Sequence, residues 1–299
     1  MTFLDTLKDI ALPFVMVAAV AEGLWFLVVR KNYDWAAWVT SAGDLIVRRL
    51  LGLVPFALTA PVFAWAYGHR LYTFHLRDVG SVLLLFVGLE FCYYWQHRAS
   101  HTIRWFWNAH LVHHSPNQLT LAAAYRLGWF DKFIGTGVFL TPLSFLGFHP
   151  LDVVAALFLN LLYQFWLHAD WIPKLGILEY VLNTPSAHRV HHARNTAYLD
   201  ANFGGVLIVF DRLFGTYVEE RDDLPCQYGL VHPVTTYNPV WINLQPWIEL
   251  GRDLARARSF GEAWSYLFGA PGWRLDGQGM TTADLRAADL QAAGLEAAD

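Results

Sequence analysis

Nine of the thirteen histidines in this chain stand in three short clusters and at one separate position. They are His97 and His101, then His110, His113 and His114, then the separate His168, and finally His188, His191 and His192. Residues three and four positions apart share one face of a helix, so each cluster directs its imidazoles toward a common target. This spacing predicts a metal site, and a fold that brings the clusters together.

The residue types narrow the choice of metal. Neutral imidazole suits iron, copper, nickel and zinc. The chain has two separate cysteines, Cys92 and Cys226, which argues against an iron–sulfur centre or a thiolate-bound structural zinc. Nine nitrogen ligands exceed the coordination number of one ion, so we expect a two-metal centre. The other four histidines are interpreted as ordinary core or surface residues: His69, His75, His149 and His232.

The composition is typical of a membrane protein. Hydrophobic residues make up 55% of the 299 residues, and 14 of the residues are tryptophan. Long apolar stretches at about 10–29, 50–67 and 79–95 predict three membrane spans. Two shorter stretches, about 133–148 and 151–167, predict a hairpin that is tilted or re-entrant. We therefore expect a multi-pass protein with four or five membrane segments.

Basic residues predict the orientation of these spans. Four of them follow the first span, against two in the next loop: Arg30, Lys31, Arg48 and Arg49. The positive-inside rule then places the first loop, and with it all the histidine clusters, on the cytoplasmic face. A site next to the membrane surface favours a lipid substrate. The first apolar stretch lacks the features of a signal peptide, so we expect it to remain as an anchor.

The net charge bears on the expected partners, and the apolar pattern on the domain boundaries. The net charge is −4 and no basic run resembles a nucleic-acid surface, so nucleic acid is not an expected partner. We predict membrane anchor helices over 1–78, a catalytic domain over 79–247 and a C-terminal helical tail over 248–299. In that tail, Thr281 or Thr282 is expected to cap a final Ala- and Leu-rich helix.

Several motifs resemble those of the fatty acid hydroxylase and sterol desaturase superfamily, and most closely its alkylglycerol monooxygenase branch. The similarity lies in the three histidine clusters with their flanking residues, and in Gln164-Phe-Trp-Leu-His168, the stretch from Gly204 through Asp211 to Gly215, and Gly229-Leu-Val-His-Pro233. It covers roughly residues 80–275. Together with the residue patterns it gives the expected fold class, an all-α integral membrane bundle with a cytosolic helical cap that carries the dimetal site.

The resemblance implies a chemistry for the centre. It implies two irons held by the nine clustered histidines, which activate O2 to insert oxygen into a lipid C–H bond or to remove hydrogens. The electrons then come from a separate redox partner or reductant, with tetrahydrobiopterin or a ferredoxin/cytochrome system as candidates. A desaturase with the same centre is one alternative. A non-redox di-zinc hydrolase or metal-binding membrane protein is the other.

Two polar residues near the clusters are candidates for supporting roles at the site. Glu90 stands seven residues before His97, two helical turns along the same face, and is predicted to accept a hydrogen bond from a ligating imidazole. The alternative for Glu90 is a salt bridge to an arginine. Asn195, three residues after His192, is either an extra ligand or neighbour of the ligands, or the cap of a loop.

Overall fold

The computed structural model describes residues 3–54, 58–292 and 294. The described chain is helical, and its β pairing is limited to the isolated bridges Leu182–Leu207 and Ala193–Tyr228. The α-helices are α1 (Phe3–Val29), α2 (Trp35–Gly52), α3 (Ala60–Gly68), α4 (Val79–Thr102), α5 (Arg104–His114), α6 (Thr141–Leu146), α7 (Pro150–Phe165), α8 (Pro185–His191), α9 (Val209–Phe214), α10 (Pro239–Arg256), α11 (Phe260–Phe268) and α12 (Thr282–Ala292). The predicted all-α class is confirmed.

Three helical segments in the described residues are long and apolar enough to cross a bilayer. They are Asp9–Val29 in α1, the whole of α4, and α7 with its 3₁₀ extension to His168. Their carboxyl ends lie together: α4 ends just after His101, the third segment ends at His168, and Arg30 after α1 forms a salt bridge of 2.8 Å with Asp170. The long helices therefore converge at the histidines.

The second predicted span is wrong as a single helix. Residues 50–67 do not form one helix, because α2 ends at Gly52 and a new helix, α3, begins at Ala60. Glycine disfavours helix continuation, whereas Pro61 in the first turn of α3 favours a start there. Part of the predicted span, residues 55–57, lies outside the described residues.

The first half of the predicted hairpin is also interrupted. It consists of a 3₁₀ helix, Thr136–Leu140, followed directly by α6, and together they form an apolar helical segment shorter than a full span. This segment packs against α3 and α4. The backbone amide of Leu71 donates to the Phe145 carbonyl at 2.9 Å. Two short, broken segments thus pack side by side among the three long helices.

The C-terminal helices α10, α11 and α12, called the cap below, pack against α2, α5 and the 3₁₀ turn at 196–198. The cap is tied to α2 by Asn243 of α10, whose Nδ2 donates to Asp44 Oδ1 at 2.9 Å. Thr281 accepts from the Asp284 amide and caps α12, as predicted. The boundary proposed at 247/248 stays a prediction, and α10 runs across it. Residues 293 and 295–299 of the predicted tail lie outside the described residues.

The buried carboxyl group of Asp44 should make the stability of the fold depend on pH. Its side chain is fully buried, and burial raises its pKa to about 6. The folded state then binds this proton more tightly than the unfolded state, so the contribution to stability is present below about pH 4 and is lost as the pH rises through about 6. Asp44→Asn keeps an acceptor for Asn243 and cannot ionise.

We therefore expect Asp44→Asn to gain stability relative to the parent protein between pH 5 and pH 8, by up to about 3 kcal/mol at about 1.4 kcal/mol per pKa unit. Thermal unfolding of both proteins in the same detergent, at a series of pH values, measures this difference. A difference that stays constant across the range contradicts the prediction.

Candidate metal centre

All nine clustered histidines meet at one place in the fold. They separate into two groups, in each of which the ligand nitrogens lie within 4.8 Å of one another. The five-histidine group contains His97, His101, His110, His114 and His191, and the four-histidine group contains His113, His168, His188 and His192. Each group draws on more than one sequence cluster. The four histidines interpreted as ordinary belong to neither group.

Local helical structure presents these imidazoles. His97 and His101 lie one turn apart near the end of α4, and the second cluster occupies the last turns of α5. His168 ends a 3₁₀ turn after α7. His188 and His191 lie on α8, and His192 directly follows its last residue. This helix begins at Pro185 and is capped by Thr184, the side chain of which accepts from the Ala187 amide. Four separate chain segments thus supply the site.

Backbone carbonyls fix the orientation of four of the rings. In each case the ring Nδ1 lies within hydrogen-bond distance of a carbonyl oxygen, which can only accept, so Nδ1 carries the proton and Nε2 carries a lone pair. The pairs are His97 with Phe203 O at 2.8 Å, His168 with Gln164 O at 2.9 Å, His191 with Ala201 O at 2.9 Å and His113 with Arg126 O at 3.2 Å.

This orientation leaves nitrogen lone pairs facing one another. The Nε2 atoms of His113 and His168 lie 3.3 Å apart, yet each of these neutral rings has its single N–H at Nδ1, where it donates to a backbone carbonyl. No proton remains to join them, and a cation bound between them would be stabilised by both lone pairs. In the five-histidine group, the buried Nε2 atoms of His101 and His191 have no hydrogen-bond partner. The donor set therefore fits metal binding.

The electrostatics keep the imidazoles neutral. Burial, followed by the repulsion of neighbouring imidazoles, lowers the pKa of the rings on α5 and α8. The pKa of His113 falls to about 4, and that of the others falls well below its ordinary value: His110, His114, His188, His191 and His192. Neutral imidazole is the form that binds metals. Of the carboxylates near the rings, Asp200 places Oδ1 3.5 Å from His101 Nδ1.

A cavity of about 1490 Å³ reaches the histidines from the side of the cap. Its inner wall includes His101, His114 and His191. Its outer walls come from α5, α10, the loop 229–236 and residues 271–285. The cavity joins apolar and aromatic side chains such as Trp107 to charged ones. An amphipathic molecule could contact both kinds of surface while reaching the ligands.

The structure corrects the expected contacts of Glu90 and Asn195. Glu90 is buried, but its oxygens accept from Asn160 Nδ2 and from the amides of Val206 and Leu207 rather than from an imidazole. The two helical turns that separate it from His97 hold it about 10 Å along the helix from that ring. Asn195 bonds to the segment 225–227, so it is a loop cap.

Three residues that matter for the site had no assigned role in the sequence. Asp200 lies against His101, Asp211 binds the backbone next to Phe203, and the carbonyl of Arg126 accepts from His113. Asp211 stands inside a motif that resembles the superfamily, which marks it without revealing its role. Arg126 was detectable as a lone charge among apolar residues. Its partners are distant in sequence, and local patterns do not report them.

Comparisons with known proteins agree with this geometry. Residues 82–216 match the family model described as fatty acid hydroxylase. The chain is 36% identical to alkylglycerol monooxygenase of Homo sapiens over 283 residues, which cover 91% of this chain and 62% of the relative. It is 39% identical to the Xenopus tropicalis protein of that name over 190 residues, 64% and 42% of the two chains. Ornithine lipid hydroxylase of Rhizobium tropici is 31% identical over 142 residues, 46% and 41%.

The chain spans 41–62% of the length of these three relatives. No solved structure matches it significantly. The matched region contains all nine clustered histidines together with Glu90 and Asp211. Residues 82–216 are therefore a fatty acid hydroxylase domain, within a chain that resembles the alkylglycerol monooxygenases over most of its length.

Proposed function

We propose that this protein is a membrane-bound, O2-dependent, non-haem di-iron oxidoreductase that hydroxylates a C–H bond of a lipid. The observation that carries the proposal is the nitrogen-only arrangement of nine histidines in groups of five and four. Each group would hold one iron. The relatives named as alkylglycerol monooxygenase and ornithine lipid hydroxylase support a lipid as the substrate.

The ligand count favours iron over zinc. Zinc sites in proteins are almost always four-coordinate, and catalytic zinc keeps one of those positions for water or substrate. The five-histidine group already exceeds this number. Iron accepts imidazole ligands and, unlike zinc, changes its oxidation state. The same nitrogen set therefore argues for oxygen chemistry rather than hydrolysis.

The reaction sets requirements for the site. Bound iron would supply the electron transfer that lets dioxygen react with an unactivated C–H bond. One oxygen atom enters the lipid and the other leaves as water, which consumes two electrons and two protons from a separate donor. Tetrahydrobiopterin and a ferredoxin/cytochrome system are the candidate donors. The protein supplies rigid, buried ligands, since carbonyls orient four of the rings and eight of the nine are buried.

The position of the site supports a lipid substrate and an integral membrane location. The three apolar helical segments end at the histidines, so the centre would lie just outside the hydrocarbon core. With the three long helices and the broken segments as return crossings, all clusters fall on one side of the membrane. The basic residues at 30–31 and 48–49 favour the cytoplasmic side.

Isotope labelling can test whether oxygen is transferred to a lipid. Cells that express the protein under ¹⁸O2 should contain one lipid class that carries the label, and His191→Ala should abolish this labelling, because the five-histidine group then lacks a ligand locked by Ala201. Mass spectrometry of extracted lipids measures it. His75→Ala is the matched control, since His75 is exposed and outside both groups, and it should label as the parent does.

The same experiment separates the alternatives. A lipid that loses two hydrogens without gaining oxygen would identify a desaturase with the same centre. Zinc in the purified protein, with no oxygen uptake when iron and an electron donor are supplied, would identify a non-redox di-zinc hydrolase or metal-binding protein. Labelling that persists in His191→Ala would remove this residue from the ligands.

Another prediction concerns the cavity as the substrate's route. Val231 lines the cavity and is 41% exposed, so Val231→Trp should narrow it without touching a histidine. We expect kcat/KM for the lipid to fall by about tenfold or more, equivalent to roughly 1.4 kcal/mol. Metal content should not change.

Val181→Trp is the control for the added bulk, because Val181 is 51% exposed and does not line the cavity. It should keep the parent's kcat/KM. If kcat/KM changes by the same factor in Val231→Trp and Val181→Trp, the cavity is not the route by which the lipid reaches the centre.

A further inference from the structure

We propose that the loop 200–207 orients the five-histidine group, and that Asp211 and Glu90 are positioning residues which hold this loop. The inference rests on the proposed function in one respect only, the identity of the metal as iron. It assigns to two buried carboxylates a role in which neither contacts a metal ligand.

One short loop provides the outer partners of three histidines in a single group. Asp200 faces His101, the Ala201 carbonyl accepts from His191, and the Phe203 carbonyl accepts from His97. All three histidines belong to the five-histidine group. The four-histidine group takes its carbonyl partners elsewhere, from Arg126 and Gln164. Displacing the loop should therefore affect one metal position and spare the other.

Asp211 holds the middle of this loop. Its Oδ1 accepts from the Phe203 amide and from Thr216 Oγ1, each at 2.7 Å, and its Oδ2 accepts from the Gly204 amide at 2.7 Å. The carboxylate is fully buried, and no basic side chain forms an ion pair with it among the residues the structure describes. A buried charge is costly unless it is hydrogen-bonded, so the three donors account for its presence.

Glu90 holds the far end of the loop against α4. Its Oε2 accepts from the amides of Val206 and Leu207, both at 2.8 Å. The Phe203 carbonyl meets His97 on the same helix, two turns further on. The loop is therefore bracketed along α4 between Glu90 and the ring that it orients.

The loop has little room to adjust. A side chain at Gly204 would overlap the Leu207 carbonyl, and one at Gly205 would overlap the Asn160 amide. Asp200 and Asn202 adopt left-handed backbone conformations, with φ of +51° and +57°. Such conformations persist only where surrounding bonds enforce them. The carboxylate bonds and the close packing supply that enforcement.

Asp211→Asn is the decisive variant. Either orientation of the new amide places its NH2 group against a backbone N–H, of Phe203 or of Gly204, so one loop contact becomes repulsive. We expect the five-histidine group to lose about 10–100-fold in Fe²⁺ affinity, the usual effect of removing an outer partner of a ligand. Fe²⁺ titration measures the affinity. Mössbauer spectra of ⁵⁷Fe-loaded protein should show one iron signal altered and the other unchanged.

Glu179→Gln is the matched control. Glu179 is also a buried carboxylate that accepts from a backbone amide, that of Leu175, and among the described residues its side chain makes no hydrogen bond to the loop 200–207. It should keep both iron signals and both affinities. Circular dichroism and elution volume in detergent check that each variant stays folded.

Glu90 gives a rescue test. Glu90→Leu removes both loop bonds and should reproduce the Asp211→Asn spectrum. Glu90→Gln should resemble the parent, because the new side-chain carbonyl can still accept from the loop amides. Its NH2 group would donate to Asn160 Oδ1 once the side-chain amides of Asn160 and Gln164 have rotated by half a turn. The readout needs no turnover, so it is independent of whether the substrate is a lipid.

Three outcomes would overturn the inference. They are parent-like Fe²⁺ binding and spectra in folded Asp211→Asn, equal loss of both iron signals in that variant, or a parent-like spectrum in Glu90→Leu. The first and third would show that the loop is not needed to orient the rings. The second would show that its effect is not confined to one group.

Discussion

The centre of this protein depends on nitrogen lone pairs that face one another inside the fold. Burial keeps the imidazoles of α5 and α8 neutral. Backbone carbonyls accept hydrogen bonds from the Nδ1–H groups of four rings in the site, among them His113 and His168. The remaining Nε2 lone pairs of these two rings lie 3.3 Å apart, an arrangement that a positive charge between them would stabilise. The capacity to bind a metal therefore depends on how the rings are oriented, and the loops around the site set that orientation.

The long apolar helices and the cap meet at this point. Two of the three long apolar segments carry histidines at their carboxyl ends, while α5 and the segment that begins with α8 bring the others. Asp44 and Asn243 join α2 to α10. A centre at the junction of apolar helices and a polar cavity suits a substrate with an apolar chain and a polar end.

Buried carboxylates have an unusual role here. In carboxylate-bridged di-iron proteins, glutamates are ligands. In this chain the histidines take that place, and Glu90 and Asp211 bind backbone amides in the loop 200–207 instead. We propose that these carboxylates act on the histidines through the carbonyls of the loop, and not as ligands themselves.

Local patterns along the chain were enough to predict the local features. Spacing of three and four residues put the histidines of each cluster on one helix face, and hydropathy located α1, α4 and α7, because both depend on neighbours along the chain. Which histidines share a group depends on long-range packing, since each group mixes clusters up to about 90 residues apart. Long-range packing likewise accounts for two differences from prediction. Residues 50–67 do not form one helix, and Glu90 accepts from the amides of Val206 and Leu207 rather than from a ring. Contacts of that kind depend on how distant segments pack, which no local pattern encodes.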